Sequence, residues 1–288
     1  MIVVGFDGAP AGEDALSLGR LMSELTGDPI TAVVVTPTDH AAVTRHGDPR
    51  FGRLATDAAE VERRARELLE QSGAQFEVRV VSARSPARGL DEVVHSLPTS
   101  VVVIGSTGRG PVGRVFAGTT GERLLQGSPA AVAVAPEGYR NRRTPRPSTI
   151  AVAYLSKQDS QRALVVGADL AKRHSMRLRV VTVVPPPEEG RPLASIHASH
   201  MFNEQRREAF QRELENALAG VHSDVDVSGE VLESTEAGQA LAALTDVDLL
   251  VCASRGYGPV RRVLLGGVSA ALVRGAACPV LIVPRGDH

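Results

Sequence analysis

Short apolar runs alternate with longer amphipathic stretches along the whole chain. In the first half the runs have strand length and lie at about 2–6, 30–36, 76–81, 101–104 and 132–135. Between them, stretches such as 11–25 and 55–71 repeat their apolar residues at the spacing of a helix that buries one face. Strands that alternate with helices predict an α/β fold with a mainly parallel sheet covered by helices.

The second half repeats this order, with strands predicted at about 150–154, 178–184, 225–231, 249–252 and 280–283. Residues 105–136 and 253–284 align without a gap at an offset of 148, and 12 of the 32 positions are identical. A constant offset indicates a tandem duplication. We therefore expect one domain at 1–137, a polar linker at 138–148 and a second domain at 149–288.

Composition excludes several classes of function. The net charge of −1 and the absence of Trp argue against a nucleic-acid-binding protein. The longest apolar runs are far shorter than the roughly 20 residues of a membrane span. The chain enters a strand at Ile2, so we expect no signal peptide and a cytoplasmic protein.

The cysteines and the histidines of the second half do not form a metal site. Cys252 and Cys278 lack the spacing of metal ligands, and we expect both to be reduced and buried. His197 and His200 are three residues apart, but no carboxylate or cysteine at ligand spacing accompanies them or His222.

Polar and small residues follow the first four strands of the first half. Asp7, Thr36, Ser82 and Gly105 each lie at or just beyond a strand end. Parallel α/β sheets bind ligands beyond the carboxyl ends of their strands, so these residues are expected to converge on one crevice. Asp7 would accept hydrogen bonds from a ribose or from the edge of an adenine, although it also suits capping of the next helix.

A glycine-rich segment follows the fourth strand and has the features of a phosphate site. Nine residues separate Gly105-x-x-Gly108 from Gly118, Thr119 and Thr120, which open a helix. Glycines allow close backbone approach, and a helix N-terminus offers unpaired N–H groups to an anion. Turn formation by the glycines and helix capping by the threonines remain structural alternatives.

Two arginines lie in the intervening loop and extend the phosphate hypothesis. Arg109 and Arg114 are long enough to reach phosphate oxygens, although loop arginines are commonly solvated. Residues 1–150 contain no lysine, which excludes a Lys-dependent Walker loop from this half.

The spacing of Gly105, Gly108, Gly118 and Thr119 resembles the G-2x-G-9x-G-(S/T) motif of the universal stress protein family, and the resemblance covers both halves almost completely. It implies two tandem Rossmann-like, adenine nucleotide α-hydrolase-like domains, each with a five-stranded sheet in the order 3-2-1-4-5. Family members with the full motif bind ATP, often with magnesium, and are mostly dimeric. The residues that the resemblance assigns to the nucleotide are Asp7, Val35, Gly105, Gly108, Gly118, Thr119 and Thr120.

The second copy departs from this motif where a nucleotide would be held. The replacements are Asp7 by Leu155, Gly105 by Ala253, Thr119 by Gly267 and Thr120 by Val268. Losing these polar groups weakens binding by roughly 0.5–1.5 kcal/mol for each hydrogen bond. The residues left for a weaker second site are Ser254, Arg255, Gly256 and Gly266.

The final strand of each half is apolar and would be an exposed edge in an isolated domain. In the resembled family these strands pair across the dimer. We therefore expect an intramolecular pseudo-dimer through the final strands, and a further homodimer of the whole chain stays open.

These features favour an ATP-binding regulatory or stress-response protein with an unidentified protein partner. A slow ATPase is one alternative, but no catalytic residue or metal ligand is identified; Glu122, on the first turn of the phosphate helix, is more typical of a helix surface. A nucleotide-independent interaction module is another. An ATP pyrophosphatase ranks low, because Asp7-Gly8-Ala9-Pro10 replaces its Ser-Gly-Gly loop.

Overall fold

A computed structural model describes most of the 288 residues. The described residues are 1–39, 43, 49–71, 73–107, 112–142, 147–155, 157–186, 193–254 and 265–284.

Strands and helices alternate in the first half as the hydrophobic pattern predicts. Its elements are β1 (Ile2–Gly5), α1 (Pro10–Thr26), β2 (Ile30–Pro37), α2 (Pro49–Glu70), β3 (Phe76–Ala83), α3 (Pro86–Ser96), β4 (Val101–Gly105), α4 (Gly118–Leu124) and β5 (Ala131–Ala135). Helix α2 begins six residues before the predicted start. Its extra turn buries Phe51 and Leu54, which are only 2% and 5% exposed.

The second half has the same order of elements. They are β6 (Thr149–Ala153), α5 (Lys157–His174), β7 (Arg177–Val184), α6 (Leu193–Ala219), β8 (Val227–Glu233), α7 (Ala237–Ala242), β9 (Leu249–Ala253), α8 (Gly267–Leu272) and β10 (Val280–Val283). Strand β8 starts two residues later than predicted. Helix α6 carries His197 and His200.

All ten strands form one sheet in the order β3-β2-β1-β4-β5-β10-β9-β6-β7-β8. Each half therefore has the order 3-2-1-4-5 and is parallel throughout. The halves join where β5 and β10 pair antiparallel, with Leu281 opposite Ala133. This pairing is the intramolecular contact that the apolar final strands predict.

The core follows the sheet. The strands β1, β4 and β5 are covered on both faces, so their side chains are apolar and almost completely buried. Strand β3 lies at an outer edge, and most of its residues remain partly exposed, as its alternating sequence indicates.

The first residues of the predicted linker are packed onto the first half. A 3₁₀-helix at Tyr139–Asn141 follows β5. The Asp14 carboxylate, 1% exposed, accepts the backbone N–H groups of Gly138 and Arg140 at 2.8 Å and the Arg140 guanidinium at 3.0 Å. These bonds fix the chain as it leaves the first half, where the sequence predicts only a polar connection.

Candidate functional site

A crevice opens at the carboxyl end of the sheet in the first half. It lies where β1 and β4 meet, the point at which the strand order reverses and where α/β sheets commonly bind ligands. It contains about 840 Å³ of empty space, part of it open to solvent. Its lining residues are Gly5, Phe6, Asp7, Ala11, Gly12, Val33, Val35, Arg50, Phe51, Leu54, Pro86, Leu90, Ile104, Gly105, Thr107, Ala117, Thr120 and Gly121.

One side of the crevice is apolar. Val33 and Val35 contribute from β2, Phe51 and Leu54 from α2, and Leu90 from α3. Successive side chains of a strand point to opposite faces, so Val33 and Val35 share the crevice face. Such a wall suits the flat, weakly polar surface of an aromatic ring.

Thr36 and Ser82 do not line the crevice, which corrects the expectation that both converge on it. Thr36 follows Val35 and therefore lies on the opposite face of β2. Its hydroxyl is hydrogen-bonded to that of Ser82 at 2.9 Å, between the ends of β2 and β3. These two residues tie neighbouring strands together.

Asp7 lies at the crevice in the turn between β1 and α1. Its Oδ1 accepts the N–H of Ala9 at 3.0 Å and so closes the turn before α1, whereas the N-cap residue of that helix is Ala9 and has no side-chain cap. Gly12 leaves room for the carboxylate, since a Cβ there would lie 2.8 Å from Oδ1. The tight turn holds the carboxylate at the mouth of the crevice.

Gly105 allows α1 to approach the end of β4. A Cβ on Gly105 would lie 1.8 Å from the carbonyl oxygen of Ala11, in the first turn of α1. No side chain fits at this distance. The glycine is therefore required by the packing of α1 on β4, and it is also one of the residues that line the crevice.

Gly118 needs to be glycine for two reasons. Its φ of +62° is a conformation that L side chains rarely adopt, and a Cβ would lie 2.4 Å from Thr107 Cγ2. Thr120 lines the crevice, whereas Thr119 is exposed and is not among the lining residues. Gly108 and Arg109 lie outside the described residues.

Ser106 fixes the loop that leads to Gly118, a role that the sequence did not predict. Its buried hydroxyl donates to the carbonyl of Ala135 at 2.6 Å and accepts the N–H of Phe116 at 2.8 Å. Thr107 adds a bond from its N–H to the carbonyl of Phe116 at 2.9 Å. The loop is held at both ends.

Arg114 is engaged by the second half and is not among the residues that line the crevice, so the structure does not support the expectation that it reaches phosphate oxygens. Its Nη1 donates to the carbonyls of Ala242 and Gly275, at 3.1 and 2.9 Å, in the second half of the chain. Glu122 is also engaged across the halves, because its carboxylate pairs with Arg274 at 3.2 Å.

The corresponding region of the second half is built differently. The N–H of Leu155, at the position of Asp7, donates to Ser160 Oγ at 2.9 Å, and the Leu155 side chain packs on the core. Ser254 is fully buried, and its hydroxyl has no hydrogen-bond partner among the described residues. Arg255 and Gly256 lie outside the described residues.

The N-terminus of helix α8 is capped by the side chain of Ser269, a residue of the same helix. The N–H of Gly266 donates to Ser269 Oγ at 2.8 Å, and that hydroxyl donates back to the Gly266 carbonyl at 3.2 Å. Gly266 has a φ of −86°, in contrast to +62° at the equivalent Gly118. In α4 the N-cap residue Ala117 provides no side-chain cap. The two helix starts therefore differ in shape and in hydrogen bonding.

Other candidate groups are accounted for elsewhere in the fold. Burial raises the pKa of the Cys252 and Cys278 thiols to about 12, and both cysteines are free. The described residues contain no group of three or more His, Cys, Asp or Glu side chains able to hold a metal ion. Among them, too, no helix has the length and apolar character needed to cross a membrane.

Comparison with known proteins identifies one family. The model of the universal stress protein family matches residues 1–136 and 148–284. A universal stress protein of Mycobacterium tuberculosis is 30% identical over 308 residues, covering 98% of this chain and 99% of that protein. A second one from the same organism is 27% identical, covering 98% and 96%.

Solved structures share the fold. A universal stress protein from Archaeoglobus fulgidus superposes with a TM-score of 0.65 at 17% identity, covering 99% of this chain and 98% of that chain. A putative universal stress protein from Pseudomonas aeruginosa gives 0.63 at 15% identity, covering 98% and 92%. One universal stress protein has been solved in complex with cAMP; it covers 36% of this chain and 74% of its own, at 20% identity and a TM-score of 0.30.

Proposed function

This chain belongs to the universal stress protein family, and on that premise we propose that it is an ATP-binding regulatory or stress-response protein whose nucleotide is held mainly by the first half. The observation that carries the proposal is the crevice, where Asp7, Val35, Gly105 and Thr120 line one space. These four residues come from four separate segments of the chain. We assign the two domains to residues 1–137 and 149–288.

The crevice residues fit the parts of an adenine nucleotide. The apolar wall around Val35 suits the base, and the Asp7 carboxylate suits the hydroxyl groups of the ribose. Gly105 lines the crevice without a side chain of its own, and Gly118 opens α4 with a φ of +62°, so we assign the backbone at this end of the crevice to the phosphates. Thr120 supplies a hydroxyl on the same side. No metal-ligating side chain is assigned, so Mg²⁺ would come bound to the phosphates.

The second half supports the asymmetry of this proposal. Leu155 cannot accept a bond from a ribose hydroxyl, and Ser269 occupies the hydrogen-bonding groups at the start of α8. Ser254 follows β9 as Ser106 follows β4, but its buried hydroxyl has no hydrogen-bond partner among the described residues. We therefore infer close to one nucleotide per chain.

The deciding experiment is mass spectrometry of nucleotide carried through purification, followed by calorimetry on nucleotide-free protein. We expect ATP at a stoichiometry near one per chain. Titrations with ADP, AMP and cAMP define which adenine nucleotide binds best. Two equal sites would contradict the asymmetry, and a chain that neither retains nor binds any of the four would favour the nucleotide-independent interaction module.

The slow ATPase stays an alternative without a residue to support it. Glu122, the acidic residue nearest the start of α4, is paired with Arg274 across the halves. Release of phosphate over many turnovers with magnesium, lost on Gly118→Ala, would establish hydrolysis. A single turnover or none would leave binding as the function.

A further inference from the structure

The loop that leads into Gly118 is bonded to the second half of the chain. The N–H of Val115 donates to the carbonyl of Ala276 at 2.8 Å, and the N–H of Ala117 donates to that of Val273 at 2.9 Å. Both acceptors lie at the end of α8 or in the turn that follows it. The main chain on one side of the crevice thus depends on the other half for two of its hydrogen bonds.

Arg114 strengthens this contact with its side chain. The carbonyls of Ala242 and Gly275, which accept from its Nη1, lie at the C-terminal end of α7 and just beyond α8. The C-terminal end of a helix carries partial negative charge, so a guanidinium there is electrostatically favoured. One arginine of the first half holds the ends of two helices of the second.

The same loop contributes directly to the crevice. Ala117 lines it, and the carbonyl of Phe116 accepts the N–H of Thr107, another lining residue. Gly118 follows at once and opens α4. Only three residues separate the Arg114 anchor from Gly118, so a shift of the anchor cannot be absorbed before it reaches the crevice.

We propose that the second half sets the nucleotide affinity of the first by holding the loop 112–117 in position, with Arg114 as the positioning residue. This inference rests on the proposed function. Arg114 does not touch the nucleotide; it fixes the loop 112–117 against the α7 and α8 ends. The coupling is reciprocal, so a bound nucleotide stabilises the contact between the halves, and a ligand or protein that displaces the α7 and α8 ends lowers nucleotide affinity.

The chain offers a matched control for the test. Arg142 Nη2 also donates across the halves, to the carbonyl of Ala277 at 2.7 Å, but it belongs to the linker. Its removal deletes a similar arginine-to-carbonyl bond to the same turn, together with the contact of its guanidinium with the Tyr139 ring, but leaves every bond of the loop 112–117 in place. Arg114→Ala, Arg114→Lys and Arg142→Ala are compared by calorimetric titration with ATP, and each is also unfolded in urea.

We expect Arg114→Ala to weaken ATP binding about three- to tenfold. Arg114→Lys should recover part of the loss, since one ammonium can still reach a carbonyl. Arg142→Ala should bind ATP as the unaltered chain does, even if its urea midpoint falls as far. Equal affinity in all four proteins overturns the inference while leaving ATP binding intact. An unaltered chain that binds no ATP overturns the proposed function and this inference together.

Amide hydrogen exchange supplies a readout that a merely structural role would not move. The N–H groups of Val115 and Ala117 report directly on the contact with the second half. ATP should slow their exchange in the unaltered chain and in Arg142→Ala, and have a smaller effect in Arg114→Ala. Exchange at both positions that is indifferent to ATP overturns the coupling.

Discussion

The backbone of Gly105 lies so close to the Ala11 carbonyl that a Cβ on the glycine would come within 1.8 Å of the oxygen. The first turn of α1 therefore packs directly onto the end of β4. In the second half the position of Gly105 is Ala253, which carries a side chain. An approach as close as that at Gly105 would bring the Cβ of Ala253 onto the backbone of the helix.

Gly105→Ala should destabilise the first half by about 1–3 kcal/mol, because the added methyl group forces α1 away from β4. Nucleotide binding should weaken as well, since Asp7 and Ala11 move with the helix. Urea unfolding and calorimetry measure the two effects. Ala253→Gly is the matched change in the second half and should leave ATP binding unaltered; a tolerated Gly105→Ala would show that the packing is looser than described.

Gly118→Ala should abolish most ATP binding. It introduces a side chain at a φ of +62° and within 2.4 Å of Thr107 Cγ2. Gly27→Ala is the control, because Gly27 has a φ of +75° at the end of α1 and no neighbour within 4 Å of a Cβ. Both variants should lose about 1–2 kcal/mol of folding free energy to backbone strain, but only Gly118→Ala should lose affinity.

Replacements of Asp7 separate its local role from its proposed contact with the ribose. Asp7→Leu reproduces the residue of the second copy and removes both, so ATP affinity should fall about tenfold or more. Asp7→Asn keeps an oxygen that can accept the Ala9 N–H and should lie between. Calorimetry ranks the three proteins; an Asp7→Leu variant that binds as tightly as the unaltered chain would remove Asp7 from the site.

The thiols of Cys252 and Cys278 should be unreactive in the native protein. Burial raises their pKa from 9.0 to about 12, so at pH 8 they are both inaccessible and protonated. A disulfide reagent such as Ellman's should label neither quickly, and should label both in denaturant. The unfolded chain gains thiolate above about pH 9 while the folded chain does not, so their contribution to stability is complete below that pH and declines above it. Rapid native labelling would contradict the burial of one of them.

The sequence predicted the parts of this molecule that depend on local pattern. Apolar runs and amphipathic spacing located the strands and helices, and the parallel sheet then placed Asp7 and Gly105 at one edge. Val35, which only the family resemblance assigned to the nucleotide, also lines the crevice. Thr36 was wrongly expected at the crevice. It is the residue after Val35, so its side chain lies on the opposite face of β2.

Apart from the pairing of β5 with β10, which the apolar final strands predicted, the long-range contacts escaped prediction because no local signal encodes them. Arg114 looked like a residue for phosphate, since it lies in the loop between Gly108 and Gly118, yet its acceptors lie 128 and 161 residues away. Phe51 follows an irregular polar stretch and precedes the periodic part of α2. The hydrophobic pattern therefore did not place it in the helix that buries it. The repeat did indicate a structural role for Arg114, because the second copy, which lacks the full phosphate motif, also has an arginine at this position, Arg262.

The pairing of β5 with β10 has a consequence for how the two halves of the chain can differ. An interface between the separate subunits of a homodimer dissociates on dilution, and it joins two identical sequences. Here the covalent link keeps the two halves at a fixed and high effective concentration, so the interface between β5 and β10 forms within each molecule however dilute the protein is. The sequences of the two halves are then free to diverge, so that one half can keep a site while the other changes to support it. Identical copies in a symmetric assembly cannot differ from one another in this way.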